Sequence, residues 1–133
     1  LLNVSPGWHV YWKNAGDSGL PTSVEYMLPE GFHASAPGWP VPVVFVGVGD
    51  VVDYGYEDSL LLYSNVTVPE ELPEGDKVPL KAVVSWVSCK DICIPGRAEL
   101  EIRLPVSEEP EAANSALFSE WEKRLPIGEF DQR

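Results

Sequence analysis

The chain has 133 residues, 44% hydrophobic and 23% charged, a composition that describes one globular domain with a single core. Nine basic residues stand against 21 acidic ones, which gives a formal net charge of −12. A surface this acidic repels phosphate backbones and anionic lipids, which excludes nucleic acid as a partner. No apolar run approaches the roughly 18 to 20 residues of a membrane helix. We expect any export signal to have been removed from the start of the chain.

Thirteen prolines and eleven glycines interrupt the chain at short intervals, a pattern typical of short strands joined by tight turns. Segments rich in β-branched and aromatic residues are the predicted strands. They are residues 8–12, 22–28, 43–48, 60–68, 78–89 and 97–106. Spacers rich in turn residues separate them, at 29–31, 47–50 and 73–76. Six strands of this kind indicate a β-sandwich.

Two further patterns refine this prediction. Residues 80–88 alternate as a strand does, yet both faces are fairly apolar, which favours a central strand. After an acidic stretch at 107–111, apolar residues recur at helical spacing behind an Asn114 or Ser115 cap. These residues are Leu117, Phe118, Trp121 and Leu125. We expect one short helix that packs on the sandwich or leads into a linker.

The two cysteines, Cys89 and Cys93, are separated by three residues at the end of the longest predicted strand. A bridge across so short a loop stabilises a fold by only about 2 kcal/mol in the chain-entropy model. Nor can it be the bridge between the sheets of an immunoglobulin domain, which joins cysteines many tens of residues apart. A pair that opens and closes easily suits thiol–disulfide exchange.

Two alternatives to exchange remain open at this point. The cysteines could form an inert bridge or stay as free thiols. They could also bind a metal, but zinc usually takes four ligands, and only His9 and His33 could add nitrogen donors. Cuprous copper accepts fewer and softer ligands.

Six motifs follow one another along the chain, at residues 7–14 (GWHVYWKN), 16–22 (GDSGLPT), 28–32 (LPEGF), 39–40 (WP), 54–56 (YGY) and 85–96 (SWVSCKDICIPG). In this order they resemble the N-terminal domain of the DsbD family of thiol:disulfide interchange proteins, in its ScsB-like branch. One departure is Ala15, where the branch often has proline. The three-residue spacing of the cysteines is also closer to the ScsB-like branch than to DsbD itself.

The resemblance implies an all-β, immunoglobulin-like sandwich with a short C-terminal helix. Residues 1–107 would be the redox domain, lacking its first strand, and residues 108–133 an acidic linker, the short helix and a tail. The domain would be a soluble, monomeric, periplasmic part of an inner-membrane protein. Electrons would arrive from the thioredoxin-like and membrane domains of the same polypeptide and leave to periplasmic thioredoxin-fold oxidoreductases. The cysteine pair would serve without any other cofactor or metal.

The resemblance also assigns site residues. Cys93 matches the cysteine that forms mixed disulfides with partners, and Cys89 the one that resolves them. A cap loop would shield the pair, because an exposed dithiol would be oxidised in the periplasm. Its residues are Asp53, Tyr54, Gly55 and Tyr56, with Tyr54 as the cover. His9 and Tyr11 match two active-site tyrosines.

The same resemblance connects the domain with cytochrome c biogenesis and copper tolerance. A copper-binding module that uses the same thiols is therefore one alternative function. A redox-silent adaptor sandwich is another.

Overall fold

The structure, a computed structural model, describes residues 1–72 and 75–126. The strands within these ranges are β1 (Leu2–Asn3), β2 (Val10–Gly16), β3 (Ser23–Met27), β4 (His33–Ala34), β5 (Val43–Val46), β6 (Val52–Tyr56), β7 (Ser59–Leu60), β8 (Val66–Thr67), β9 (Lys77–Cys89) and β10 (Cys93–Pro105). A helix, α1 (Ser115–Glu122), follows them. The described part of the chain therefore folds as an all-β, immunoglobulin-like sandwich with one short helix, as the sequence predicts.

Two three-stranded antiparallel sheets form the body of the sandwich. One has the order β10-β9-β3 and the other the order β2-β6-β5. The shorter strands pair separately, β1 with β7 and β4 with β8. The predicted central strand is confirmed, because β9 lies between β10 and β3.

The predicted strand at residues 60–68 is wrong, because the structure divides it into β7 and β8. Leu60 and Leu61 are adjacent in sequence, and both are buried. Successive residues of a strand point to opposite faces, so two consecutive side chains in the core require a break in the strand. The short strands β1 and β4 were not predicted. Of the predicted spacer at 73–76, Pro73 and Glu74 lie outside the described residues.

Strand β6 was also missed, although it is the central strand of its sheet. Asp53 and Gly55 are residue types that strands disfavour, so the segment resembles a turn in the sequence. Residues 53–56 are therefore not the loop that we expected but part of a strand. Its register pairs Tyr11 with Gly55 and Val10 with Tyr56 on one side, and Phe45 with Asp53 on the other.

The main core lies between the sheets around Val10, Tyr56 and Leu60. Its partly buried neighbours include Trp12, Trp39, Leu62 and Trp86. Helix α1 begins after Asn114 as predicted, and its Trp121 is buried. The backbone N–H of Val41 donates to the carbonyl of Arg124, and Phe118 packs edge-on against Tyr63. The helix thus packs on the sandwich.

Glycine is required at position 55 because strand β2 passes very close to it. A Cβ atom at this position would overlap the carbonyl oxygen of Val10 and lie 3.2 Å from the Cα atom of Tyr11. We predict that Gly55→Ala lowers the free energy of unfolding by about 1–3 kcal/mol, because the backbone must shift to make room. Urea unfolding measures this loss.

Gly47→Ala is the matched control, since a Cβ atom there meets only ordinary contacts, the nearest at 3.7 Å from the Cβ of Val51. We expect it to change stability by less than about 0.5 kcal/mol. Equal effects of the two substitutions would contradict this account of the β2–β6 approach.

Candidate functional site

The two cysteines face each other across the end of the β9–β10 hairpin. Cys89 is the last residue of β9 and Cys93 the first residue of β10, and the register pairs them directly. They form a disulfide with their Cα atoms 4.1 Å apart. Residues 90–92 make the turn between them. The spacing seen in the sequence is therefore that of a tight hairpin with a cysteine on each side.

The two halves of the disulfide differ in their access to solvent. Cys89 is only 4% exposed, whereas Cys93 belongs to the exposed residues of the hairpin end. Ile92 and Ile94, on either side of Cys93, are 65% and 49% exposed. An incoming sulfur atom can therefore reach Cys93, while Cys89 is covered by the protein.

Cys89 is also joined to the strand on its other side. Its N–H donates to the carbonyl of His9 (2.9 Å), and the N–H of His9 donates to the carbonyl of Cys89 (3.0 Å). Because the N–H and C=O groups of Cys89 both point towards His9, they do not bond to Cys93. Cys89 and Cys93 are therefore a non-hydrogen-bonded pair of the antiparallel ladder, a type in which the Cα atoms lie about 4.5 Å apart. Directly opposed residues of antiparallel strands project their side chains on the same face. His9, Cys89 and Cys93 therefore share one face, which we call the cysteine face.

The imidazole of His9 is held between two aromatic rings on this face. Its Nε2 atom lies 3.0 Å from the hydroxyl of Tyr11, and its ring stacks on Phe45 with 4.4 Å between centroids. Burial lowers the pKa of His9 below 6.5, although the carboxylates of Asp53 and Glu57 act in the opposite direction. The imidazole is therefore mainly neutral at pH 7.

Tyr11 is 3% exposed and packs with Cys89 and Ala15 in a small buried cluster. Burial, followed by the negative charge of Asp53, raises its pKa above 10. Its hydroxyl thus stays protonated at neutral pH. The ring also lies against Gly19, where a Cβ atom would overlap it. Tyr11 consequently forms a wall beside the buried cysteine.

Asp53 is buried but charged. Its carboxylate accepts hydrogen bonds from the Ser18 hydroxyl (2.6 Å), the Ser18 N–H (2.8 Å) and the Gly19 N–H (3.2 Å). Burial alone would raise the pKa of Asp53, but these hydrogen bonds and nearby His9 outweigh it, and the pKa lies below 3.8. Asp53 therefore fixes the segment at 18–19 on which Tyr11 lies.

Tyr54 and Tyr56 lie on the other face of their sheet. Neighbouring residues of a strand alternate between faces, so the two tyrosines point away from the side that carries Asp53, Gly55 and Tyr11. The ring of Tyr54 packs edge-on against Trp12, with 6.0 Å between centroids. The hydroxyl of Tyr56, in the core, donates to the carbonyl of Pro40 (2.7 Å). The structure thus brings His9 and Tyr11 to the cysteines and places Tyr54 elsewhere.

Sequence reasoning missed Phe45 and Ser18. Phe45 belongs to a correctly predicted strand, but only its register with β6 opposite Asp53 reveals that it reaches His9. Ser18 and Gly19 belong to the GDSGLPT motif, which is apparent in the sequence. The motif alone did not show that these two residues donate hydrogen bonds to Asp53. Within residues 1–72 and 75–126, no three His, Cys, Asp or Glu side chains lie close enough together to hold a metal ion. The same ranges include no helix that is long and apolar enough to span a membrane.

A hairpin disulfide with one cysteine accessible to a partner and the other covered defines a domain for thiol–disulfide exchange, which proceeds by attack on an accessible sulfur. The family model described as "Thiol:disulfide interchange protein DsbD, N-terminal" matches residues 1–105. The chain therefore belongs to the family of DsbD N-terminal domains, as the motifs predict.

Comparison with solved structures shows the same fold in the N-terminal periplasmic domain of ScsB from Proteus mirabilis. The TM-score is 0.60 and the sequence identity 19%. The match covers 94% of this chain and 46% of the ScsB chain, so this chain spans about half the length of that structure. Comparison with curated proteins gave no significant match.

The buried carboxylate generates a prediction about stability and pH. Because the folded protein lowers the pKa of Asp53, its ionised form contributes stability above the ordinary value of 3.8, and this contribution is lost as the pH falls through the lower folded-state pKa. We predict that Asp53→Asn lowers the free energy of unfolding by about 1.5–3 kcal/mol at pH 7. The difference from the unsubstituted protein should narrow below about pH 4.

Urea unfolding at pH 7 and at pH 3 measures the free energy of unfolding of Asp53→Asn and of the unsubstituted protein. The exposed Asp91, in the hairpin turn, supplies the control, and Asp91→Asn should change stability by less than about 0.5 kcal/mol at either pH. An Asp53→Asn effect that is the same at both pH values would contradict a charged, hydrogen-bonded carboxylate.

Proposed function

We propose that this chain is a periplasmic electron-relay domain of a larger inner-membrane protein. It receives electrons from the thioredoxin-like and membrane domains of the same polypeptide and passes them to periplasmic thioredoxin-fold oxidoreductases. The Cys89–Cys93 pair carries the electrons without a further cofactor. The observation that carries this proposal is the unequal access to the two sulfurs of a hairpin disulfide in a DsbD N-terminal domain.

In the proposed reaction, the Cys93 thiolate attacks the partner disulfide and forms a mixed disulfide, and the first partner sulfur leaves as a thiolate. Cys89 then loses its proton and attacks the Sγ atom of Cys93. The Cys89–Cys93 disulfide forms, and the second partner sulfur leaves. The partner gains two electrons and two protons, and the domain loses them. The exposure of Cys93 and the burial of Cys89 support this order of attack.

The residues around the pair support a docking surface with an open and a closed side. On the open side, Ile92 and Ile94 offer apolar contact area beside Cys93. On the closed side, Tyr11 packs against Cys89. We propose that Tyr11 and the His9–Phe45 stack perform the shielding that the family resemblance assigned to Tyr54, because they share the face of the cysteines.

Trapping of the mixed disulfide tests the proposal. We predict that the Cys89→Ser protein, reduced and mixed with an oxidised thioredoxin-fold partner, accumulates a one-to-one adduct through Cys93. Non-reducing electrophoresis and mass spectrometry detect the adduct and identify its cysteine. Removal of the resolving thiol blocks forward release of the partner, and quenching with acid and an alkylating reagent stops the return attack by the partner's own freed thiolate, so the adduct is preserved.

The matched control is Cys93→Ser, which should give at most a trace of adduct because Cys89 is 4% exposed. A redox-silent adaptor would form no adduct with either variant and several partners. An adduct that forms mainly through Cys89 would reverse the proposed roles. A copper-binding function would instead require stoichiometric binding of cuprous ions that either substitution abolishes.

A further inference from the structure

The resolving step poses a problem that the structure makes specific. Cys89 must lose a proton to become a nucleophile, since the thiolate and not the thiol attacks a disulfide. An ordinary cysteine has a pKa of about 8.5. Cys89 is 4% exposed and packs with Tyr11 and Ala15. Water is therefore poorly placed to take the proton, and burial in apolar surroundings disfavours the thiolate.

We propose that His9 is the proton acceptor of Cys89 in the resolving step, and that Tyr11 and Phe45 hold its imidazole in position. This inference rests on the proposed exchange function and assigns a role to a side chain beside the cysteine pair. Its first basis is register. His9 and Cys89 exchange both backbone hydrogen bonds, which places their side chains next to each other on the cysteine face.

The orientation of the imidazole is the second basis. The ring stacks on Phe45, with an interplanar angle of 22°, and its Nε2 atom meets the hydroxyl of Tyr11. When Nε2–H donates to that hydroxyl, Nδ1 carries the lone pair and can accept a proton. Contacts on two sides thus restrict the rotation of a side chain that a backbone pairing alone would leave mobile.

The surrounding charges suit a base that becomes briefly positive. The titratable groups facing His9 are Tyr11 on β2, Asp53 on β6, Glu57 just after β6, and the cysteines of β9 and β10. Burial keeps the imidazole neutral at rest, and the carboxylates of Asp53 and Glu57 stabilise the imidazolium when it forms. Asp53 is itself held ionised by Ser18 and Gly19.

The proton balance of the step is as follows. After Cys93 has formed the mixed disulfide, the proton of the Cys89 thiol moves to Nδ1 of His9. The Cys89 thiolate attacks Sγ of Cys93, and the bond between Cys93 and the partner breaks. The imidazolium then releases its proton to the departing partner thiolate or to solvent, which returns His9 to its neutral form.

A two-step reagent separates attack from resolution. The reduced chain is mixed with 5,5′-dithiobis(2-nitrobenzoate) in a stopped-flow instrument. Attack by Cys93 releases a first coloured thiolate at a rate proportional to reagent concentration. Resolution by Cys89 releases a second one at a rate independent of concentration. His9→Gln should slow the second phase at pH 7 by at least about tenfold and leave the first nearly unchanged.

His33→Gln is the matched control, because His33 is the only other histidine of the chain and lies on β4, where it pairs with Thr67 of β8. It should leave both phases unchanged. The pH profile gives a readout that a purely structural role would not alter. In the unsubstituted protein, the second-phase rate should level off above the pKa of His9, which lies below 6.5. In His9→Gln it should keep rising by about tenfold per pH unit towards the thiol pKa.

Each outcome bears on one claim. Two released thiolates, with equal second phases and pH profiles in His9→Gln and the unsubstituted protein, would overturn the role of His9 and leave the exchange function standing. A single released thiolate from the unsubstituted protein would show that Cys89 does not resolve, and the proposed function itself would fail. If His9→Gln does not fold, the pH profile of the second-phase rate in the unsubstituted protein tests the proposal by itself. A second-phase rate that rises about tenfold per pH unit from about pH 5.5 to 8 without levelling off would contradict the proposal.

Discussion

The two backbone hydrogen bonds between His9 and Cys89 are the constraint on which the site depends. They join the end of β9 to the residue just before β2, and so connect the two main sheets at one corner. Everything on the cysteine face follows from this register. Tyr11, two residues further along, reaches Cys89, and Gly55 on β6 lets β2 approach closely enough for Asp53 and Phe45 to surround His9. Disruption of these two hydrogen bonds would separate the cysteines from the side chains that surround them.

The hairpin explains how the disulfide can be well positioned and still contribute only about 2 kcal/mol to stability in the chain-entropy model. Strands β9 and β10 pair over 13 residues each, from the cysteines to Pro105 opposite Lys77. The register of this ladder places Cys89 directly opposite Cys93. The bond closes only a short loop, so the entropy that it removes from the unfolded chain is small. A pair of this kind can open and close while the fold remains, which is what electron transfer by thiol–disulfide exchange requires.

Much of this arrangement was predictable from the sequence, and the exceptions have physical causes. Strand composition was sufficient for the central strand β9, and apolar residues at helical spacing were sufficient for the helix at Ser115–Glu122, but the tight hairpin between β9 and β10 was not predicted. Strand β6 was missed because Asp53 and Gly55 have low strand propensity. Both residues are present for other reasons: the carboxylate of Asp53 accepts hydrogen bonds, and Gly55 allows the backbone of β2 to approach closely. The position of Tyr54 in this strand also bears on its assignment as the cover of the cysteines. A residue in a loop can fold over the cysteines, whereas a residue in a paired strand must follow the alternation of faces. Phe45 could be recognised only from the register of β5 with β6.

The central claim is that Cys89–Cys93 is an exchangeable pair and not a structural staple. A redox titration tests it most directly: the chain is equilibrated in dithiothreitol and glutathione buffers, its thiols are alkylated and counted, and circular dichroism monitors the fold. We predict a reversible two-electron transition at a potential above about −300 mV, the range in which labile and catalytic disulfides lie, with an unchanged spectrum. A pair that stays oxidised below that potential, or a fold that is lost on reduction, would contradict the account.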